Sequence, residues 1–196
     1  MSKYGSATAA TRGRILDASL TLFGRYGFRR TSMQDIAGEA GISRGTLYLQ
    51  FRTKEEIFRE LAAALHEVAL SGAEAALERD GPLADRLRAA VEAKTVPMIE
   101  IVQASPHGSE LTDEKNRLCG DLATDSERRF QEMLTRAFTR TDKREIDLAA
   151  AELSASEAAD LFARALAGLK GSDTTPARYR KQLASLIKVF VRGLGG

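Results

Sequence analysis

The residues with the most usable chemistry lie between Thr31 and Phe51, in the run TSMQDIAGEAGISRGTLYLQF. Ser43, Arg44, Thr46, Tyr48 and Gln50 offer hydroxyl, guanidinium and amide groups of the kind that meet phosphate oxygens and base edges. Two short helical stretches flank Ala40-Gly41-Ile42, where a sharp turn at positive φ suits glycine. Ala37 is small enough for the two stretches to approach closely. Ile36, Ile42, Leu47 and Phe51 supply a small apolar core that leaves the outer face of the second stretch free. Arg44 falls at the start of that stretch, where recognition helices contact bases. Backbone donors at the same end suit a phosphate.

Other chemistry is thinly provided. The single cysteine, Cys119, can form neither an internal disulfide nor a cysteine-based zinc site. His66 and His107 have no second histidine or cysteine at helical ligand spacing. His107 falls in the turn Ser105-Pro106-His107-Gly108, and Cys119 reads as a small buried hydrophobe. No nucleophile–base pair, glycine-rich phosphate loop or Glu-x-x-His pair is present, so no catalytic residue, metal or cofactor is expected.

Charge points to the same quarter of the chain. The 196 residues carry a net charge of +2, with 43% hydrophobic and 29% charged residues, as in an ordinary soluble globular protein. Residues 1–54 hold nine lysines and arginines against three acids, and the remainder is net acidic. A basic head on a mildly acidic body implies a polyanion partner for the head. No apolar run approaches the ~18 residues of a membrane span, and the first residues lack an apolar signal-peptide stretch. A cytoplasmic protein is expected.

The elements that must position these groups all read as helices. Residues 1–10 are small and polar and read as a flexible arm. A helix then runs from Thr11 to Gly27, with Ile15, Leu22 and Phe23 inward. Ser32 with Asp35 forms a capping box for the next helix, Gly41 ends it, and Ser43 caps the third, which runs to about Phe51. Thr53 with Glu56 opens a long helix from Lys54 to about Glu78. Further helices are expected over Leu83 to Ala104, with a kink at Pro97, and over Ser109 to Phe138. Ser154 with Glu157 opens one that stops at Gly171, and Thr175-Pro176 opens the last. The fold class is all-α, a three-helix helix-turn-helix domain over 1–54 joined to a helical domain over 55–196.

The run from Arg14 to Leu61 resembles the DNA-binding domain of the TetR family of transcriptional regulators. The resemblance rests on Ile15-Leu16-Asp17-Ala18, Leu22-Phe23, Tyr26-Gly27, Thr31-Ser32, Asp35-Ile36-Ala37, Ala40-Gly41, Ser43-Arg44-Gly45-Thr46-Leu47-Tyr48, Phe51 and Lys54-Glu55. It implies that Arg44 and Thr46 enter the major groove beside Ser43, with Gly45 allowing close backbone approach. It implies that Tyr48 meets a phosphate or a thymine methyl, and that Thr31, Ser32 and Lys54 meet phosphates. Leu49 and Gln50 depart from the histidine and aromatic residues frequent there. Leucine has no hydrogen-bond donor, so Leu49 can meet a base only through a thymine methyl.

The resemblance also implies a body that senses a ligand and dimerises. Leu161, Phe162, Ala165 and Leu169 form a stripe on the penultimate helix, and Leu183, Ile187 and Phe190 one on the last. Two such stripes from each of two subunits would make a four-helix bundle. Leu65, Val68, Met98, Val102, His107, Leu118, Leu122 and Phe130 are the candidates for lining a largely apolar ligand cavity. Each of them also fits simple core. The expected function is a homodimeric repressor on double-stranded DNA, released from a palindromic operator by a small-molecule effector. The alternative is a regulator answering to a protein partner, or an activator, without such an effector.

Overall fold

The computed structural model describes residues 3–171 and 174–195. Every regular element among them is a helix: α1 (Lys3–Tyr26), α2 (Met33–Glu39), α3 (Arg44–Gln50), α4 (Lys54–Leu77), α5 (Leu83–Ala104), α6 (Gly108–Arg140), α7 (Ala155–Gly168) and α8 (Pro176–Gly193). The all-α expectation holds. Local signals account for most boundaries. Gly27 turns the chain at φ +84° after α1, and Gly41 does so at +63° after α2. Reciprocal capping boxes start α2 at Ser32 and Asp35 and α7 at Ser154 and Glu157. Thr175 caps α8 with Pro176 in its first turn.

Three boundaries differ from expectation. The helix α1 reaches back to Lys3, so residues 3–10 are helical rather than a flexible arm, while Met1 and Ser2 lie outside the described residues. Ala9 and Ala10 favour helix, and no proline stops it from spreading backward. At α4, Thr53 accepts from the Glu56 N–H, but the Glu56 carboxylate accepts from Arg52 N–H at 2.7 Å, so the return arm of that box lands one residue early. The long helix α6 is interrupted at Cys119, with φ −131° and ψ 22°. Helix α5 continues through Pro97.

The chain divides into two compact units, Met1–Leu65 with Ile101–Leu122, and His66–Glu100 with Ala123–Gly196. This differs from a boundary between 54 and 55. Helix α1 and two helices of seven residues bury too little apolar surface alone. Ile57, Phe58 and Leu61 of α4 and Leu111 and Cys119 of α6 therefore share the core of Ile15, Phe23, Ile36, Leu47 and Phe51. Phe23, Phe28 and Phe58 form its aromatic centre, with ring centroids 5.2–5.6 Å apart. In the second unit, Phe138, Phe162 and Phe190 form a second aromatic cluster, beside fully buried Tyr179 and Leu183. The segment between α6 and α7 runs as turns, tied down by buried Ile146 and by an Asp147 N–H donated to the Leu194 carbonyl at 2.6 Å.

Candidate nucleic-acid interface

Helix α3 is held by one residue and presents the rest. Leu47 is fully buried, and Phe51 just beyond the helix is buried with it. Ser43 caps the helix by accepting from the Thr46 N–H at 3.0 Å, and the two hydroxyls lie 2.8 Å apart. Arg44, Gly45, Tyr48 and Leu49 are exposed, with Thr46 and Gln50 half-buried. The Arg44 guanidinium lies 5.5 Å from the centroid of the Tyr48 ring, which steers a long side chain without consuming its donors. Arg12 braces the far end. It donates to the Gln50 carbonyl at 3.3 Å and to Glu60 at 2.8 Å, and lies over the Phe51 ring at 4.4 Å.

The turn in front of α2 is built from the inside. Ser32 and Asp35 close their capping box, with the Ser32 N–H donating to the carboxylate at 2.8 Å. The Ser32 hydroxyl and backbone hold the Asp35 carboxyl below its ordinary range. Arg29 donates its N–H to Glu110 at 2.7 Å. Its guanidinium and that of Arg117 flank the buried carboxylate of Glu114. Burial pushes that carboxyl up, but Arg117 and Arg29 outweigh it and the net shift is downward. Neither glutamate was visible from sequence as part of this site, because each pairs with a residue more than eighty positions away.

Two residues expected at phosphates have partners within the chain. Thr31 is 2% exposed, and its hydroxyl donates to the Gly27 carbonyl at 2.8 Å, satisfying an acceptor at the end of α1. Its side chain faces inward. Lys54 donates to the carbonyls of Phe28 at 2.7 Å, Thr31 at 2.8 Å and Arg29 at 3.3 Å, and its ammonium lies 4.4 Å from the Phe28 ring centroid. It closes the α1–α2 turn. Arg14, Arg25, Arg29, Arg30, Arg44 and Arg52 remain as exposed cations among the described residues of the head.

The expected ligand residues fall in both units. Leu65, Val102, His107, Leu118 and Leu122 belong to the first unit, and Val68, Met98 and Phe130 to the second. Leu65, Leu118 and Leu122 pack against the first core, and Met98 and Val102 are half-buried. Val68 is 73% exposed, because Leu70, Ala73 and Leu77 take the inward stripe of α4 and Val68 falls on the opposite side. Phe130 is buried in the second core, with the Lys94 ammonium 5.1 Å from its ring centroid. His107 Nδ1 lies 3.9 Å from the Glu110 carboxylate. Cys119 is fully buried, and burial pushes its thiol up.

The expected dimer stripes lie largely against the chain's own core. Phe162, Leu183 and Ile187 are buried within the chain's own second core, and the Phe190 ring packs on Phe162 at 4.8 Å and Phe138 at 5.8 Å. These residues fill the chain's own core because α7 and α8 each turn their widest apolar face inward. Ala165 and Leu169 are half-buried, and what these helices leave open is Leu161 at 53% and Val189 at 70% exposure.

Residues 15–61 match the family model of bacterial regulatory proteins, tetR family. The chain is 46% identical over 50 residues to the uncharacterised HTH-type transcriptional regulator YfiR of Bacillus subtilis, covering 26% of this chain and 24% of that protein. It is 38% identical over 61 residues to the HTH-type transcriptional repressor KstR2 of Mycobacterium tuberculosis, covering 31% and 30%. The chain thus matches about a quarter to a third of the length of these curated relatives. A crystal structure of a transcriptional regulator from Cytophaga hutchinsonii superposes with a TM-score of 0.76 at 16% identity, over 93% of this chain and 97% of that one.

Proposed function

From an N-terminal segment that belongs to the tetR family of bacterial regulatory proteins, we propose that this chain is a DNA-binding transcriptional regulator acting as a homodimeric repressor. The observation that carries the reading is α3, anchored inward by Leu47 alone and offering Arg44, Thr46, Tyr48, Leu49 and Gln50 outward behind a Ser43 cap. That is the geometry of a helix entering the major groove. Repression follows the relative KstR2, a transcriptional repressor.

In the dimer, Leu161 and Ala165 of α7 meet Val189 of α8 from the partner subunit, and two copies of α3 reach half-sites about 34–36 Å apart on a palindromic operator. The effector is a small, largely apolar molecule taken up by the helical body. Support comes from Ser126, whose hydroxyl is buried in the second unit with no hydrogen-bond partner among the described residues. A buried orphan hydroxyl is costly unless something else satisfies it. No helix among the described residues is long and apolar enough to cross a membrane, and action on chromosomal DNA assigns the protein to the cytoplasm.

Titration of operator DNA selected from a random duplex pool tests the reading. Arg44→Ala weakens specific binding by about 1–3 kcal/mol, the worth of one base contact, while leaving non-specific binding nearly intact. Equal loss on specific and non-specific duplexes would remove Arg44 from base readout.

A further inference from the structure

Helix α3 has a direction that its composition alone does not give. Leu47 marks the inward side, at zero exposure. Successive residues rotate by about 100° around a helix, so the side opposite Leu47 falls between Gly45 and Leu49. Those two are one turn apart and lie one above the other on the outermost line of α3. The surroundings agree. A Cβ built on Gly45 would meet only the Ser43 hydroxyl, at 3.8 Å, and Leu49 is 84% exposed, the most exposed large hydrophobic residue of the described chain. The polar groups lie to either side of this line, Arg44 and Tyr48 on one flank and Thr46 and Gln50 on the other.

An isobutyl side chain at the leading edge of a groove-reading helix has one base feature to meet. The major-groove edge is made of hydrogen-bond donors and acceptors, except for the 5-methyl group of thymine. With no side chain at Gly45, Leu49 is the one side chain that stands out on this line. The cationic head around it, with exposed Arg25, Arg29, Arg30, Arg44 and Arg52, fits a nucleic-acid occupant rather than an apolar protein surface. Leu49 does not serve the fold, since it packs into neither hydrophobic core.

We propose that Leu49 is a specificity-determining residue that reads a pyrimidine 5-methyl group in each operator half-site, so that 5-methylcytosine satisfies it as thymine does. The proposal rests on the DNA-binding reading above. What is recognised is the methyl group and not the hydrogen-bonding edge of the base, which Leu49 cannot sense. The position therefore discriminates thymine from unmethylated cytosine and from uracil, and it makes operator affinity respond to cytosine methylation.

The experiment uses the full chain and a duplex enriched from a randomised pool. Each thymine of a half-site is replaced in turn by deoxyuridine, which lacks only the methyl group. At one position the wild-type protein loses affinity about fourfold, the worth of one buried methyl. At that same position 5-methylcytosine binds better than cytosine by a similar factor. Leu49→Ala, at an exposed site, keeps the helical signal and the melting temperature while erasing both differences. Wild-type binding that is indifferent to deoxyuridine at every thymine, or a Leu49→Ala protein that keeps the discrimination, overturns the proposal with DNA binding intact. Failure of any duplex to be enriched overturns the DNA-binding reading, and this proposal with it.

Discussion

Lys54 has an ammonium held by three backbone carbonyls and set against an aromatic ring. Those carbonyls follow the end of α1 and have no helical donor, so the lysine supplies one charge to the whole turn. Hydrogen bonds to a charged group are each worth about 1.5–3 kcal/mol when partly shielded. Lys54→Ala is therefore expected to lower unfolding free energy by about 2 kcal/mol in urea titration. The salt dependence of DNA binding should keep its slope. A slope reduced by about one unit at unchanged stability would make Lys54 a phosphate contact. The sequence displays the charge at the head of α4, but the carbonyls that claim it are 23 to 26 residues away. Thr31 hides its role in the same way, since its hydroxyl turns to Gly27. Leu49 was legible as a residue without a donor, while its outward direction needed Leu47 as a reference.

At the scale of elements, capped starts were legible and interruptions were not. Ser32, Ser43, Ser154 and Thr175 each act over three residues, a distance that sequence carries directly. The break of α6 at Cys119 lies beside a partner on another helix. Arg59 of α4 donates to the Leu118 carbonyl and grips the Asp121 carboxylate with both terminal nitrogens, at 2.7 and 2.8 Å. The guanidinium holds the Asp121 carboxyl at about 2, below the ordinary 3.8. A carboxyl with a depressed folded pKa contributes stability above its unfolded pKa and loses it on acidification. The α4–α6 link should thus weaken as pH falls from about 4 through 2. Asp121→Asn is expected to flatten that acid limb in denaturation curves recorded across pH. An unchanged limb would mean that Arg59 is satisfied by the Leu118 carbonyl alone.

For the molecule as a whole, the apolar stripes of α7 and α8 showed that these helices bury a face without showing against what. Phe162, Leu183 and Ile187 fill the chain's own core, and the apolar face left exposed, proposed above for a second copy, is the narrower one carrying Leu161 and Val189. Val189→Arg places a charge on that face without entering the core. It is expected to yield folded monomers in sedimentation at concentrations where the wild type is dimeric. Phe190→Asp acts differently, because Phe190 contacts Phe138 and Phe162, and it should lower the melting temperature as well. A Val189→Arg protein that stays dimeric moves the interface elsewhere. The helix-turn-helix was legible because its turn and caps lie within one short run, although its core also draws on Leu111 and Cys119 of α6. The body was legible only as helices, since its cores join residues far apart in sequence.

Two glycines respond to genetic drift in opposite ways. At Gly27 the backbone has φ +84°, and an added Cβ would lie 2.6 Å from a Glu110 carboxylate oxygen. Any replacement there strains the turn and displaces the carboxylate that holds Arg29. At Gly45 an added methyl meets open space in the free protein, and under the proposed docking it fills room reserved for the groove. A screen that selects for soluble, well-folded variants would discard changes at Gly27 and pass those at Gly45. Lineages that drift at Gly45 can therefore keep an intact protein while losing their operator.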